Sequence, residues 1–192
     1  MPYPRRPDAP GLIHHVAARG TNKEPIYFDD FDREIFLEMV GRLARRQGWI
    51  VLAYCLMNTH YHLVLHTPDA GLSVGMRLLN SGFSRRTNNR YGRTMHLFWQ
   101  RFFSTQIASD AHLLECCRYV VLNPIRAGLC CSPEDWRWSS YRSCAGLDVA
   151  RPFLATQEVL GLFGSDLRAA EAAYRAFVQD GLASCSEHET EV

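Results

Sequence analysis

The stretch Trp49–Thr67, WIVLAYCLMNTHYHLVLHT, decides how this chain folds. Residues 49–57 form a nearly continuous apolar run of strand length, Asn58 and Thr59 favour a turn, and His60–Thr67 resumes as a second run. The two are expected to pair as a β-hairpin. Side chains alternate along a strand, so His60 and His62 share one face with Cβ atoms about 7 Å apart, at a rise of about 3.3 Å per residue. Two neutral imidazoles that close can share one divalent ion. His66 points the same way but stands roughly 13 Å beyond His62, out of reach of that ion. An H-x-H pair alone is a weak signal, and a structural role for both rings stays open.

Working outward, Leu12–Ala18 (LIHHVAA) reads as a first strand closed by Gly20, Thr21 and Asn22. His14 and His15 face opposite sides of it, so at most one approaches the face that carries His60 and His62. Phe31 to Gln47 has apolar residues at 31, 35, 36, 39, 40 and 43, the spacing of a helix face, and Gly48 ends it. Asp29, Asp30 and Asp32 stand where they would cap that helix. Leu72 to Tyr91 is an expected helix, Thr105 to Ala108 a strand, and Ala111 to Leu122 a helix stopped near Pro124. The order strand, helix, strand, strand, helix, strand, helix implies an α+β fold. Its antiparallel sheet would carry the helices on one face, close to the ferredoxin-like and RRM-like layouts.

With 192 residues, of which 47% are hydrophobic, the chain can bury one full-sized core. No apolar run is long enough to span a bilayer, and the start, MPYPRRPDAP, lacks the apolar stretch of a signal peptide. A soluble, cytoplasmic protein with no membrane partner is the expectation. The seven cysteines are odd in number and show no C-x-x-C spacing. That pattern suits reduced, buried thiols better than disulfides or a zinc site.

Net charge is only +1, yet it is unevenly placed. Residues 70–109 contain no acid, while Arg77, Arg85, Arg86, Arg90, Arg93 and Arg101 supply six positive charges. Guanidinium suits phosphate contacts and stacking on bases. Phe83, Tyr91, Phe98, Trp99, Phe102 and Phe103 interleave with the block, as binding of unpaired bases requires. A solvated helix face with core aromatics is the competing explanation.

Tyr119 and Asn123 are four apart on the expected last helix, hence on one side of it. A carboxamide oxygen there can serve as a hard ligand and a phenol can lie next to the ion. A helix-end role for Asn123 and a packing role for Tyr119 stay open on these residues alone.

The segments HHVAARGTNKEPIYFDDFDRE, LAYCLMNTHYHLVLHTP, LSVGMRLLNSGFSRRTNNRYGRTMHLFWQRF, ECCRYVVLNPIRAGL and PEDWRWSSYRS follow one another along the chain. In order and spacing they resemble the REP-associated tyrosine transposases, single-strand transposases of the histidine-hydrophobe-histidine (HUH) nuclease superfamily. The resemblance covers roughly residues 11 to 147, and H-x-H combined with Y-x-x-x-N-P-x-R-A-G is its specific part. It implies a transposase domain over 1–147 and a helical extension with an acidic tail over 148–192. By residue, it makes His60, His62 and Asn123 ligands of magnesium or manganese and Tyr119 the nucleophile. It further implies cleavage and rejoining of single-stranded DNA at hairpin-forming palindromic repeats through a 5′-phosphotyrosine, by a monomer or a homodimer. Phenols titrate near about 10, so a tyrosine nucleophile needs such help at neutral pH. An alternative on the same scaffold is a catalytically idle module that binds single-stranded nucleic acid.

Overall fold

In the computed structural model residues 8–186 are described. The elements are β1 (Leu12–Arg19), α1 (Asp30–Gln47), β2 (Ile50–Leu56), β3 (His60–Thr67), α2 (Leu72–Tyr91), β4 (Phe103–Ile107), α3 (Asp110–Arg126), α4 (Tyr141–Cys144), α5 (Thr156–Leu160) and α6 (Leu167–Ser186). The sheet is antiparallel with strand order β2-β3-β1-β4. It is the ferredoxin-like arrangement expected from the order of elements.

Local chemistry places the ends of these elements. Asp29 caps α1 by accepting from the Asp32 amide at 2.9 Å, and Asp32 in turn accepts from the Phe28 amide at 2.8 Å. Gly48 closes α1 with φ +67°, a left-handed conformation that a side chain resists. The start of α2 has no cap of its own: the Asp8 carboxylate accepts from the Gly71 and Leu72 amides at 2.7 and 3.0 Å.

The helices do not all gather on one face. Phe36, Leu37 and Val40 of α1 and Leu72, Met76, Leu79 and Phe83 of α2 pack with Val16, Tyr61, Leu63 and Leu65 on one side. On the other side Cys116, Cys117, Val120 and Val121 of α3, with Tyr174 and Val178 of α6, pack with Cys55 and Val64. The one-face arrangement holds for α1 and α2 and is corrected for everything from α3 onward. The physical reason lies in β2, which is apolar on both faces and must be covered twice, joined on the α3 side by Val64 of β3. Leu52 and Ala53 both belong to the α3 side, and the bulge between Val51 and Ala53 permits this break in alternation.

Two boundaries also differ from expectation. β4 begins at Phe103 rather than Thr105, and α3 runs through Pro124 to Arg126. Pro124 lacks only the N–H that would have reached the Val120 carbonyl, while the carbonyls of Asn123, Pro124 and Ile125 accept from the amides of Ala127, Leu129 and Gly128. Gly128, with φ +64°, then reverses the chain. Residues 148–186 add α5 and α6, and α6 packs along α3. The end of the acidic tail anticipated at the C-terminus, with Glu187, Glu189 and Glu191, lies outside the described residues. No described helix is long and apolar enough to cross a membrane.

Candidate active site

His60, His62, Val64 and His66 alternate onto the α3 side of the sheet, and α3 crosses that side. Its buried stripe at 113, 116, 117, 120 and 121 leaves Tyr119 at the flank, 42% exposed. There its ring meets that of His62 edge-on, with centroids 5.8 Å apart. His60 and His62 stand at 5.0 Å between centroids. Asn123 lies one turn beyond Tyr119, and its Nδ2 donates to the Tyr119 carbonyl at 2.8 Å, which leaves Oδ1 as the atom it can offer a ligand. All four side chains line one cleft of about 440 Å³.

The imidazoles are held neutral. Burial pushes His62 down to about 3, helped by His15, His60 and Arg19, and His60 down to about 4, helped by Arg19. His62 Nε2 is buried without a hydrogen-bond partner. His60 Nδ1 lies 3.1 Å from the Thr59 hydroxyl, so its Nε2 is the nitrogen left for a ligand. A buried, unpartnered ring nitrogen beside a second neutral imidazole is what a cation needs. Among the described residues no three His, Cys, Asp or Glu side chains gather into a metal cage. Two side-chain amides line the cleft, Asn123 and Gln100, and Asn123 is the one carried on the same helix as Tyr119. Mixed nitrogen and oxygen donors fit magnesium or manganese.

The arginine block divides. Arg101 lines the cleft, and with Arg77 it also lines an adjoining groove of about 660 Å³ between α2 and residues 94–102. Arg77 and Arg85 are exposed on α2. Arg90 is engaged elsewhere, 2.6 Å from both Asp29 and Asp32, and covers the Phe31 ring at 4.7 Å. Arg93 pairs with Glu24 at 2.8 Å, and Arg86 lies over Phe31 at 6.0 Å. Of the interleaved aromatics, Phe83, Phe98 and Phe102 are buried, whereas Trp99 and Phe103 are 68% and 57% exposed at the cleft.

Three residues in the site were not assigned a role from sequence. His15 Nε2 lies 2.9 Å from His62 Nδ1. Arg19 ends β1 at the cleft, and Arg126 lies over the Tyr119 ring at 5.1 Å. Arg126 was within reach of sequence reasoning, since it stands three residues after Asn123 and so falls on the same helix side.

The antiparallel sheet built from β1-α1-β2-β3-α2-β4 carries two histidines opposite a tyrosine of α3. The family model described as "Transposase IS200 like" matches residues 9–123, and the chain belongs to that family. It is similar to a Haemophilus influenzae protein named as a REP-associated tyrosine transposase, 22% identical over 148 residues, which cover 71% of this chain and 84% of that protein. The fold also matches the structure of a REP-associated tyrosine transposase bound to a REP hairpin. That match has a TM-score of 0.65 at 17% identity and covers 87% of this chain and 93% of the other.

Proposed function

We propose that this protein cuts and rejoins single-stranded DNA, with Tyr119 as nucleophile and His60, His62 and Asn123 as holders of magnesium or manganese. The observation that carries the reading is the meeting of the Tyr119 and His62 rings, 5.8 Å apart, in a cleft shared with His60, Asn123 and the arginines 19, 101 and 126. When bound, the cation would supply Lewis-acid polarisation of the scissile phosphate and offset charge developing on it. Arg19, Arg101 and Arg126 supply fixed positive charge around the same space, which orients a phosphodiester and lowers the cost of a charged transition state.

In the first step the Tyr119 hydroxyl gives up its proton to solvent as its oxygen bonds to phosphorus, the bond from phosphorus to the 3′-oxygen breaks, and that oxygen takes one proton back from solvent and leaves as a 3′-hydroxyl. The 5′-phosphate stays esterified to Tyr119. Attack by a 3′-hydroxyl on this ester reverses the sequence and frees the tyrosine, so strands rejoin without ATP because the ester bond was never lost to water. Trp99 and Phe103 offer flat apolar surface for unpaired bases at the cleft, and the groove beside Arg77 and Arg101 continues the path. The solved relative was captured with a REP hairpin, and we extend that substrate class, palindromic repeats with adjoining single strand, to this chain.

The test is incubation with manganese and single-stranded DNA from the palindromic repeats flanking its own gene, followed by denaturing electrophoresis. The wild type is expected to form a covalent adduct that maps to Tyr119 and disappears with chelator. Tyr119→Phe is expected to bind the same DNA and form no adduct. Binding without an adduct from either protein would establish the idle binding module instead.

A further inference from the structure

β1 pairs with β3 so that His15 stands opposite Val64 and Ala17 opposite His62. His15 and His62 are thus diagonal neighbours on the α3 side of the sheet. Their rings are near parallel, 19° apart with centroids at 5.1 Å, and His15 Nε2 lies 2.9 Å from His62 Nδ1. His14, one residue earlier, points to the opposite face, and neither of its ring nitrogens has a partner. Position on β1 alone therefore does not account for the contact; the strand register selects His15.

A neutral imidazole carries one ring proton. Placed on Nδ1 of His62, the proton is donated to His15 Nε2 and the lone pair of Nε2 faces the cleft. Placed on Nε2, it becomes a buried donor with nothing to receive it, which the interior penalises. His60 is held in a parallel way, its Nδ1 beside the Thr59 hydroxyl. The His15 ring also meets the Tyr119 ring edge-on at 5.9 Å, so one side chain touches both His62 and Tyr119.

We infer that His15 is a positioning residue: it accepts the Nδ1 proton of His62, fixes the tautomer whose Nε2 lone pair binds the cation, and braces that ring against Tyr119. The inference rests on the reading of His60 and His62 as metal ligands. Partners of this kind commonly contribute about 10–100-fold to metal affinity. His15 acts through His62 and does not touch the reacting phosphate.

The experiment measures manganese binding to the full chain, without DNA, by water-proton relaxation. His15→Phe preserves an aromatic ring of similar size but has no acceptor, and it is expected to weaken manganese binding by about 10–100-fold. His15→Gln, whose amide oxygen can take the Nδ1 proton, is expected to recover part of that loss. Wild-type affinity in His15→Phe would overturn the inference and leave the metal site standing. No manganese binding by the wild type would overturn both. A second measurement needs no variant: the long-range proton–nitrogen NMR spectrum of the metal-free wild type reads the His62 tautomer directly. Protonated Nδ1 with bare Nε2 is expected, and a proton on Nε2 would refute the positioning role whatever the variants do.

Discussion

On the proposed function, replacing Arg77 and Arg85 together by glutamine is expected to weaken DNA binding without cost to the fold. The two stand eight residues apart, about two helical turns, on one side of α2. Both are exposed and neither has an ion-pair partner among the described residues. If each neutralises one phosphate of a single strand, the slope of log affinity against log salt falls by about 1.4, at about 0.7 per contact. Raising salt about fourfold, from about 50 to about 200 mM, then costs the wild type about sevenfold more affinity than the double variant. The control is Arg90→Gln with Arg93→Gln. Those charges are already matched by Asp29, Asp32 and Glu24. Their loss is expected to lower the urea midpoint of unfolding and leave the salt slope unchanged. Fluorescence anisotropy with a labelled single strand, at five or so salt concentrations, reads the slopes. The reasoning fails if the Arg90 and Arg93 pair flattens the slope while the Arg77 and Arg85 pair does not.

Further outcomes follow from packing and burial. A Cβ at Gly75 would enter the ring of buried Trp49, so Gly75→Ala is expected to destabilise by about 1–3 kcal/mol despite the better helix propensity of alanine, as a shift in denaturant midpoint shows. Burial holds His62 and His60 at about 3 and about 4 in the folded chain, below the unfolded value near 6.5. Between those limits the unfolded chain binds more protons, so stability is full above pH ~6.5 and falls as pH drops below it. For the nearly buried His62 the slope approaches about 1.4 kcal/mol per pH unit, and less for the more exposed His60. Urea titrations in chelator at pH 7 and pH 5 check this; equal midpoints would contradict it.

The hairpin and its two histidines were legible because both depend on neighbours in sequence. An apolar run, a turn and a two-residue alternation fix the face on which His60 and His62 stand. The same stretch also calls for a second layer: β2 is apolar on both faces, which requires helices on both. His15 was undecidable between two faces, since its contact with His62 depends on the β1–β3 register between residues 47 apart. The partners of the arginine block were hidden for a similar reason. It is free of acids only along the chain, and the carboxylates that engage Arg90 and Arg93 come from residues 58 to 69 positions away. The aromatics follow the helix and strand periods that the sequence could not resolve near Trp99, so buried Phe98 and Phe102 flank an exposed tryptophan.

Tyr119 and His62 meet within a single copy of the chain, on a helix and a strand that share one core. The phenol and the imidazoles are brought together by the folding of one chain. In kinetic terms, a site built this way assembles in a unimolecular event, folding itself, and on the proposed function the encounter left to chance is the one with DNA.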